Sequence, residues 1–440
     1  MAASDRYRPT NYPGWVTKRL IVQTREFDPV DDLLAYADPD RPLAWLRRGD
    51  GIVAVGSSDP ATAPASIRVS AGQGVLRSAI MADAWREIVA NAEVDDPVGV
   101  PGTGLVGFGA LTFDEGSEAD SILIVPSIIL GKHAGRGWIT RIAIAGDELP
   151  QDQPGATIDP CAYGPHWAGT VGPGAQSPNG YQASVRTALD RIGSGAVSKI
   201  VLARDLAGTI PSGSDLRRLV RALSTGYPDT WTFAVDGLVG ASPETLVTVQ
   251  DGTVTARVLA GTIGRGADAD QDAAASAHLA SSTKDIDEHE YAVQSLLDSL
   301  RPHVRAMASS EQPFLLKLPN LFHLATDVEA ELSDGGSALD LVGALHPTAA
   351  VAGTPTKVAV AAIREIEPFD RGRYAGPVGW IDGEGNGEWA IALRCAQFTP
   401  SADAIAVTAY AGAGIVAASD PETELLETRV KFRPLVDALA

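Results

Sequence analysis

The stretch TLVTVQDGTVTARVLAG, residues Thr245–Gly261, decides the fold class. Two runs rich in Val and Thr flank Asp251-Gly252, a pair suited to the positive φ angles of a two-residue hairpin turn. An antiparallel hairpin is therefore expected in the middle of the chain. Working outward, strand-like segments recur: KIVLARDL (199–206) and TWTFAVDG (230–237) precede it, and GPVGWIDG (376–383), GEWAIALRCAQF (387–398) and AIAVTAYAGAGIV (404–416) follow. Helical patterns fall in blocks between them, at Tyr181–Ile192, Asp215–Ser224, Ala269–Ala280 and Lys284–Met307. Hairpin-linked strands with helices in separate blocks predict an α+β fold with mostly antiparallel sheets, not a doubly wound parallel one.

The N-terminal portion, residues 1–145, alternates strand-like runs (LIVQTREF, GIVAVGS, TGLVGFGALTF, SILIVPSIIL) with turn clusters, and one helix is expected at Ala79–Ala92. Residues 146–180 are dense in Pro and Gly and read as a connection to a C-terminal portion, 181–440.

Chemistry concentrates in that C-terminal portion. In GAGIVAASDPETELLETRVK, residues Gly412–Lys431, Asp420 is a natural N-cap, Pro421 suits the first turn and Glu422 the positive end of the helix dipole. Glu424, Glu427 and Lys431 then share one helix face. SSTKDIDEHEYAV places Asp285 and Glu288 together in the same way. Two acidic helix faces can hold a hard divalent cation between them.

The formal net charge of −20 argues against nucleic acid and anionic membranes as partners, and an anionic substrate would need local cations to bind. Two cysteines, Cys161 and Cys395, provide no disulfide framework and suit a reducing cytoplasm. MAASDRYRPTNYPGW has no apolar signal core, and no apolar run is long enough to span a bilayer. GEGNG (383–387) resembles a phosphate loop superficially, but a strand rather than a helix follows it, so nucleotide binding is not expected. His289 and His323 read as helix or core histidines rather than ligands.

Seven segments resemble one family, in that family's order, across roughly residues 180–435: KIVLAR, GASPETL, LAGTIGRG, KDIDEHEYAV, HPTAAVAGTP, EPFDRGRYAGPVGWIDGEGNGEWAIALRCA and GAGIVAASDPETELLETRVK. The family is the chorismate-utilising enzymes. The resemblance implies two large, mostly antiparallel sheets packed face to face with helices outside, Mg²⁺ as cofactor and chorismate as substrate. It also implies the site. Lys199 matches the general base of the water-using members and Glu244 in GASPE the general acid. Glu288 and Glu427 match direct Mg²⁺ ligands, and Asp285 and Glu424 the outer carboxylates. Arg394 matches the residue that pairs with the enolpyruvyl carboxylate. Tyr374, Lys431, Gly412, Gly414, Thr262 and His346 match further substrate contacts or pocket-lining positions.

Within the family, Lys199 and EGNGEW look like isochorismate synthases. Ala260 stands where some aminodeoxychorismate synthases carry a nucleophilic lysine. Salicylate synthase, and anthranilate or aminodeoxychorismate synthase large subunits, are the alternatives. PLAWLRRGDGIVAVG looks more like the menaquinone-type enzymes than the siderophore type. A cytoplasmic monomer is expected.

Overall fold

A computed structural model of the chain describes residues 18–71, 76–149, 158–310, 312–317, 321–333 and 335–440; the side chains of Thr262, Lys284, Glu288 and Leu321 lie outside that description. Among the described residues the strands form two sheets, one of 13 strands and one of 10. Pairing is antiparallel except where Leu20–Phe27 runs parallel to Glu93–Asp95. The expected hairpin is present: Thr245–Gln250 pairs with Thr253–Gly264, with Val249 opposite Val254, and Asp251 and Gly252 both take positive φ.

The sheets pack face to face. Leu20, Trp45 and Phe233 of the larger sheet and Phe108, Val247 and Trp389 of the smaller one are buried in one continuous core. A polar pin crosses it. The Trp45 indole N–H donates to Glu388 at 2.8 Å and the Trp380 indole N–H donates to the same oxygen at 3.2 Å. Burial pushes the Glu388 carboxyl above its ordinary range, while the two indole donors favour its charged form. A second core lies outside the larger sheet, where Leu219 and Leu223 of helix Arg217–Gly226 meet Phe432 and Leu435 of the C-terminal helix Pro421–Leu439.

The N-terminal portion extends both sheets by direct strand pairing. Ala44–Arg47 pairs with Trp231–Val235 in one sheet, and Val106–Ala110 pairs with Pro377–Asp382 in the other. The portions 1–145 and 181–440 are thus joined edge to edge by backbone hydrogen bonds, rather than stacked as separate layers. Within the connection 146–180, the chain forms strand Thr170–Pro173, and helix Pro178–Gly193 begins inside it; residues 150–157 lie outside the description.

Several segments that read as single elements are two. SILIVPSIIL splits into Ser121–Val125 in the smaller sheet and Ile128–His133 in the larger. Pro126, between them, has no N–H to give to a ladder. GEWAIALRCAQF likewise splits into Gly387–Ile391 in the smaller sheet and Cys395–Pro400 in the larger. The break is Arg394, with φ +50°, a conformation that ends an extended run. A third crossing joins Leu238–Ser242 in the larger sheet to Thr245–Gln250 in the smaller through Pro243 and Glu244. The helix expected over Lys284–Met307 spans Thr283–Leu300, and Val304–Ser309 is a strand. Pro302 has no N–H to continue the helical ladder, and the helix ends before it.

One buried ion pair fixes the strand that opens with Lys199. Arg371 donates to Glu367 at 2.6 and 2.8 Å, to the Val351 carbonyl at 3.0 Å and to the Val201 carbonyl at 2.7 Å. Glu367 also accepts from the Ala203 backbone N–H at 2.7 Å. Glu367→Ala should therefore leave a buried guanidinium unpaired and cost about 3–5 kcal/mol of stability. Denaturant unfolding of this variant beside Glu367→Gln, which keeps the acceptor oxygen for Ala203, measures that loss.

Candidate active site

Two of the sheet crossings lie against each other. The Ser242 hydroxyl donates to the Ile391 carbonyl at 2.6 Å, the Ile391 N–H donates to the Glu244 carbonyl at 3.0 Å, and the Ala241 N–H reaches the Arg394 carbonyl at 3.3 Å. Glu244 and Arg394 are thereby set at one mouth between the sheets. A cavity of about 410 Å³ opens there, lined by both residues together with Lys199, Tyr374, Lys431, Asp285, Glu424 and Glu427.

Lys199 opens strand Lys199–Pro211, which pairs with Ala404–Ile415 so that Val201 faces Gly414 and Ala203 faces Gly412. A Cβ at Gly414 would stand 2.9 Å from Lys199 Cε, so the glycine leaves the lane in which the lysine chain lies. A Cβ at Gly412 would stand 3.2 Å from the Tyr374 hydroxyl and 2.7 Å from the Leu202 carbonyl. Tyr374 is buried and stacks on Tyr410, ring centroids 5.1 Å apart. Burial pushes its phenol pKa up, so it is a neutral hydroxyl.

The C-terminal helix begins as its sequence implied. The Asp420 carboxylate caps it, accepting from the Glu422 and Thr423 N–H groups at 3.1 and 2.9 Å. Glu424, Glu427 and Lys431 then face the cavity. The Lys431 ammonium bridges Glu427 at 2.6 Å and the Gly412 carbonyl at 2.8 Å, tying the helix to the glycine strand. Across the cavity, Asp285 sits in the first turn of helix Thr283–Leu300, capped by the Ser282 hydroxyl. It packs on Gly261, where a Cβ would come within 3.2 Å of Asp285 Cβ. Glu288 and Thr262 were expected in this site, and their side chains fall outside the described residues. Among the described residues no three His, Cys, Asp or Glu side chains converge closely enough to hold a metal ion. The hard oxygen donors of Asp285, Glu424 and Glu427 do face one cavity, a donor set chemically suited to Mg²⁺.

Glu244 is the most perturbed acid of the site. Burial pushes its carboxyl up to about 7, with Lys199 and Lys431 pulling the other way. Arg394 is half-buried, and burial lowers its pKa; among the described residues no carboxylate pairs with its guanidinium.

One expectation is corrected. His346 does not line this cavity. Its Nε2 lies 3.0 Å from the Phe113 carbonyl and its ring meets Phe113 edge-on, because the loop after helix Ala338–Leu345 turns it toward the N-terminal strands. His323 is the buried histidine the sequence implied, and it also lines the cavity. Burial first, then Arg394 and Lys431, push its pKa down to about 3, so it faces the cavity as a neutral imidazole. A polar residue inside the apolar run LFHLA was its only trace in the sequence. His289 is a satisfied core histidine, bonded to the Thr326 hydroxyl at 2.7 Å and near the Ala260 carbonyl at 3.3 Å. Ala260 lines the cavity, as the family comparison of that position implied.

A family model described as "Chorismate binding enzyme" matches residues 19–440, and the chain belongs to that family. It is 42% identical over 274 residues to isochorismate synthase DhbC of Bacillus subtilis, covering 60% of this chain and 68% of that protein. It is 37% identical over 352 residues to a putative isochorismate synthase MenF of Mycobacterium tuberculosis, covering 77% of this chain and 87% of that protein. Its fold superimposes with a TM-score of 0.73 on the crystal structure of a putative 2,3-dihydroxybenzoate-specific isochorismate synthase, DhbC, from Bacillus anthracis, at 30% identity over 92% of this chain and 98% of that one.

The raised carboxyl has a consequence for stability. With a folded pKa of about 7 against an ordinary 4.5, folded Glu244 holds a proton that the unfolded chain has released. Its contribution is fully present below 4.5 and is lost as pH rises through about 7. Across that window the wild type should lose stability relative to Glu244→Gln, as urea unfolding of both at successive pH values will show.

Proposed function

We propose that this chain is an isochorismate synthase: it adds water at C2 of chorismate while the C4 hydroxyl leaves. The observation that carries this reading is the pairing, in one cavity, of an amine, Lys199, with a buried carboxyl, Glu244, raised to about 7. The names of the relatives point the same way.

In this mechanism Lys199 takes a proton from the attacking water. Glu244 begins protonated and gives its proton to the departing hydroxyl, converting a poor leaving group into water. A solvated carboxylate of ordinary pKa would be almost wholly ionised at neutral pH; burial keeps a substantial share of Glu244 in the acid form there. Arg394 offers two parallel N–H groups to the enolpyruvyl carboxylate. Tyr374 and the narrow lane at Gly412 and Gly414 hold the ring between the two proton-transfer groups. His323, neutral, adds a hydrogen-bonding wall without repelling the cations beside it.

Mg²⁺ is the proposed cofactor, held by Asp285, Glu288, Glu424 and Glu427. When bound, it would neutralise the ring carboxylate and orient the substrate. The Lys431–Glu427 contact then gives Lys431 the task of positioning that carboxylate. Calorimetric Mg²⁺ titration of the wild type and Glu427→Gln tests the ligand set.

Similarity to MenF over 77% of the chain supports a place in menaquinone biosynthesis, and similarity to DhbC supports the siderophore branch. We favour menaquinone, on the N-terminal stretch PLAWLRRGDGIVAVG. The two cysteines, one exposed and one buried and both free, support a reducing compartment, and we propose a cytoplasmic monomer. Among the described residues no helix is long and apolar enough to cross a membrane.

Incubation with chorismate and Mg²⁺ should yield isochorismate by chromatography. Accumulation of salicylate, or of an amino product with ammonia, would replace this reading. Lys199→Ala should lower kcat by roughly 10²–10⁴-fold. Chorismate binding, measured by calorimetry, should persist.

A further inference from the structure

Glu244 faces two cavities. Besides the one already described, a cavity of about 330 Å³ is lined by Glu244, Ser295, Ala344, His346, Thr348 and Lys357. It shares Glu244, Leu259 and Ala350 with the substrate cavity. It also shares His346, Pro347, Thr356 and Lys357 with a third cavity of about 290 Å³. The wall of that third cavity includes the Arg364–Asp114 ion pair, and half of the Arg364 side chain is in solvent. The three spaces adjoin in series, with Glu244 where the first meets the second.

The middle space carries polar atoms that the protein leaves unpaired. A carbonyl oxygen only accepts, so the Nε2 contact with Phe113 requires the His346 proton to sit on Nε2. Nδ1 is then a bare acceptor. Burial pushes the ring's pKa down to about 4, which keeps this neutral form at working pH. Both His346 Nδ1 and Thr348 Oγ1 are buried without a hydrogen-bond partner. A buried polar atom left in this way is costly unless something satisfies it. Ordered water is the usual answer, and at about 30 Å³ per molecule several waters fit.

The geometry points to this second passage as the route by which Glu244 regains its proton from solvent, through water held by Thr348 and His346, separately from the substrate cavity. The inference rests on Glu244 being the general acid. In each turnover the Glu244 O–H bond breaks, the C4 hydroxyl departs as water, and Lys199 gains a proton from the nucleophilic water. The cycle closes when the Glu244 carboxylate takes a proton from the water chain, whose outer end takes one from solvent, and the Lys199 ammonium releases one. No oxidant or co-reactant is needed.

The test compares Ala344→Leu, which narrows the passage, with Thr348→Val, which removes one hydroxyl at nearly constant shape, and Thr348→Ser, which restores it. Reprotonation is needed only between turnovers. The first two variants should lose kcat on the order of tenfold with kcat/KM unchanged, since the slowed step follows product formation, and this is less than the loss of the acid itself would cost. Their single-turnover rate, with enzyme in excess, should stay at the wild-type value, and Thr348→Ser should recover kcat. Unchanged kcat in both Ala344→Leu and Thr348→Val would overturn the proposal, as would a single-turnover rate that falls in step with kcat. Glu244→Gln separates the two readings: it should abolish the single turnover. A Glu244→Gln enzyme that kept its single turnover would remove the acid role on which the passage depends.

Discussion

The structure depends on a hydrogen-bonded junction between two strands that change sheets. Ser242 and Glu244, on one crossing, grip both backbone groups of Ile391 on the other, at 2.6 and 3.0 Å. A strand that leaves one sheet and enters the next must abandon its ladder partners for a few residues. Buried backbone groups tolerate that only if they pair elsewhere. Here the two crossings pair with each other. The result is a rigid place, inside the protein and between two sheets, where Glu244 and Arg394 depart from regular strand geometry and face one cavity. The left-handed backbone of Arg394 is part of the same device, since it turns the chain from one sheet to the other.

That position also accounts for the electrostatics. Glu244 is surrounded by packed strands, so burial dominates over the two lysines and holds its carboxyl near 7. His323, within the same cavity wall, is driven the other way by burial and by the cations, and stays neutral. A chain with a net charge of −20 thus concentrates Lys199, Arg371, Arg394 and Lys431 around one cavity. Local cations against a negative background are what an anionic substrate needs. The buried Glu367–Arg371 pair contributes indirectly, by bonding Val201 and Ala203 and so fixing the strand from which Lys199 projects.

The sheet-to-sheet pin from Trp45 and Trp380 to Glu388 gives the EGNGEW segment a structural meaning. The glycine-rich turn is a hairpin closed by Asp382, which accepts from the Glu384 and Asn386 N–H groups at 2.9 Å. The glutamate that follows joins the two layers. What distinguishes this segment from a phosphate loop is therefore visible in its hydrogen bonds as well as in the strand that follows it.

Local signals alone carried the Asp251-Gly252 hairpin, the Asp420 cap and the shared face of Glu424, Glu427 and Lys431, because each depends on residues a few positions apart. Motif order carried the family and most of the cavity residues. The single reading of GEWAIALRCAQF and the placement of His346 failed for a common reason, and the cavity position of His323 went unread for the same one. Which sheet a strand joins, and which side chain reaches a cavity, depend on partners far away in the chain: Ile391 for Glu244, Phe113 for His346, Thr262 opposite His323. The amino-acid sequence by itself determined the α+β class, the helix start and the candidates for the reactive groups. Only the tertiary structure decided that Glu244 is buried enough to raise its carboxyl to about 7, since desolvation comes from the packing of strands distant in sequence and has no local signature.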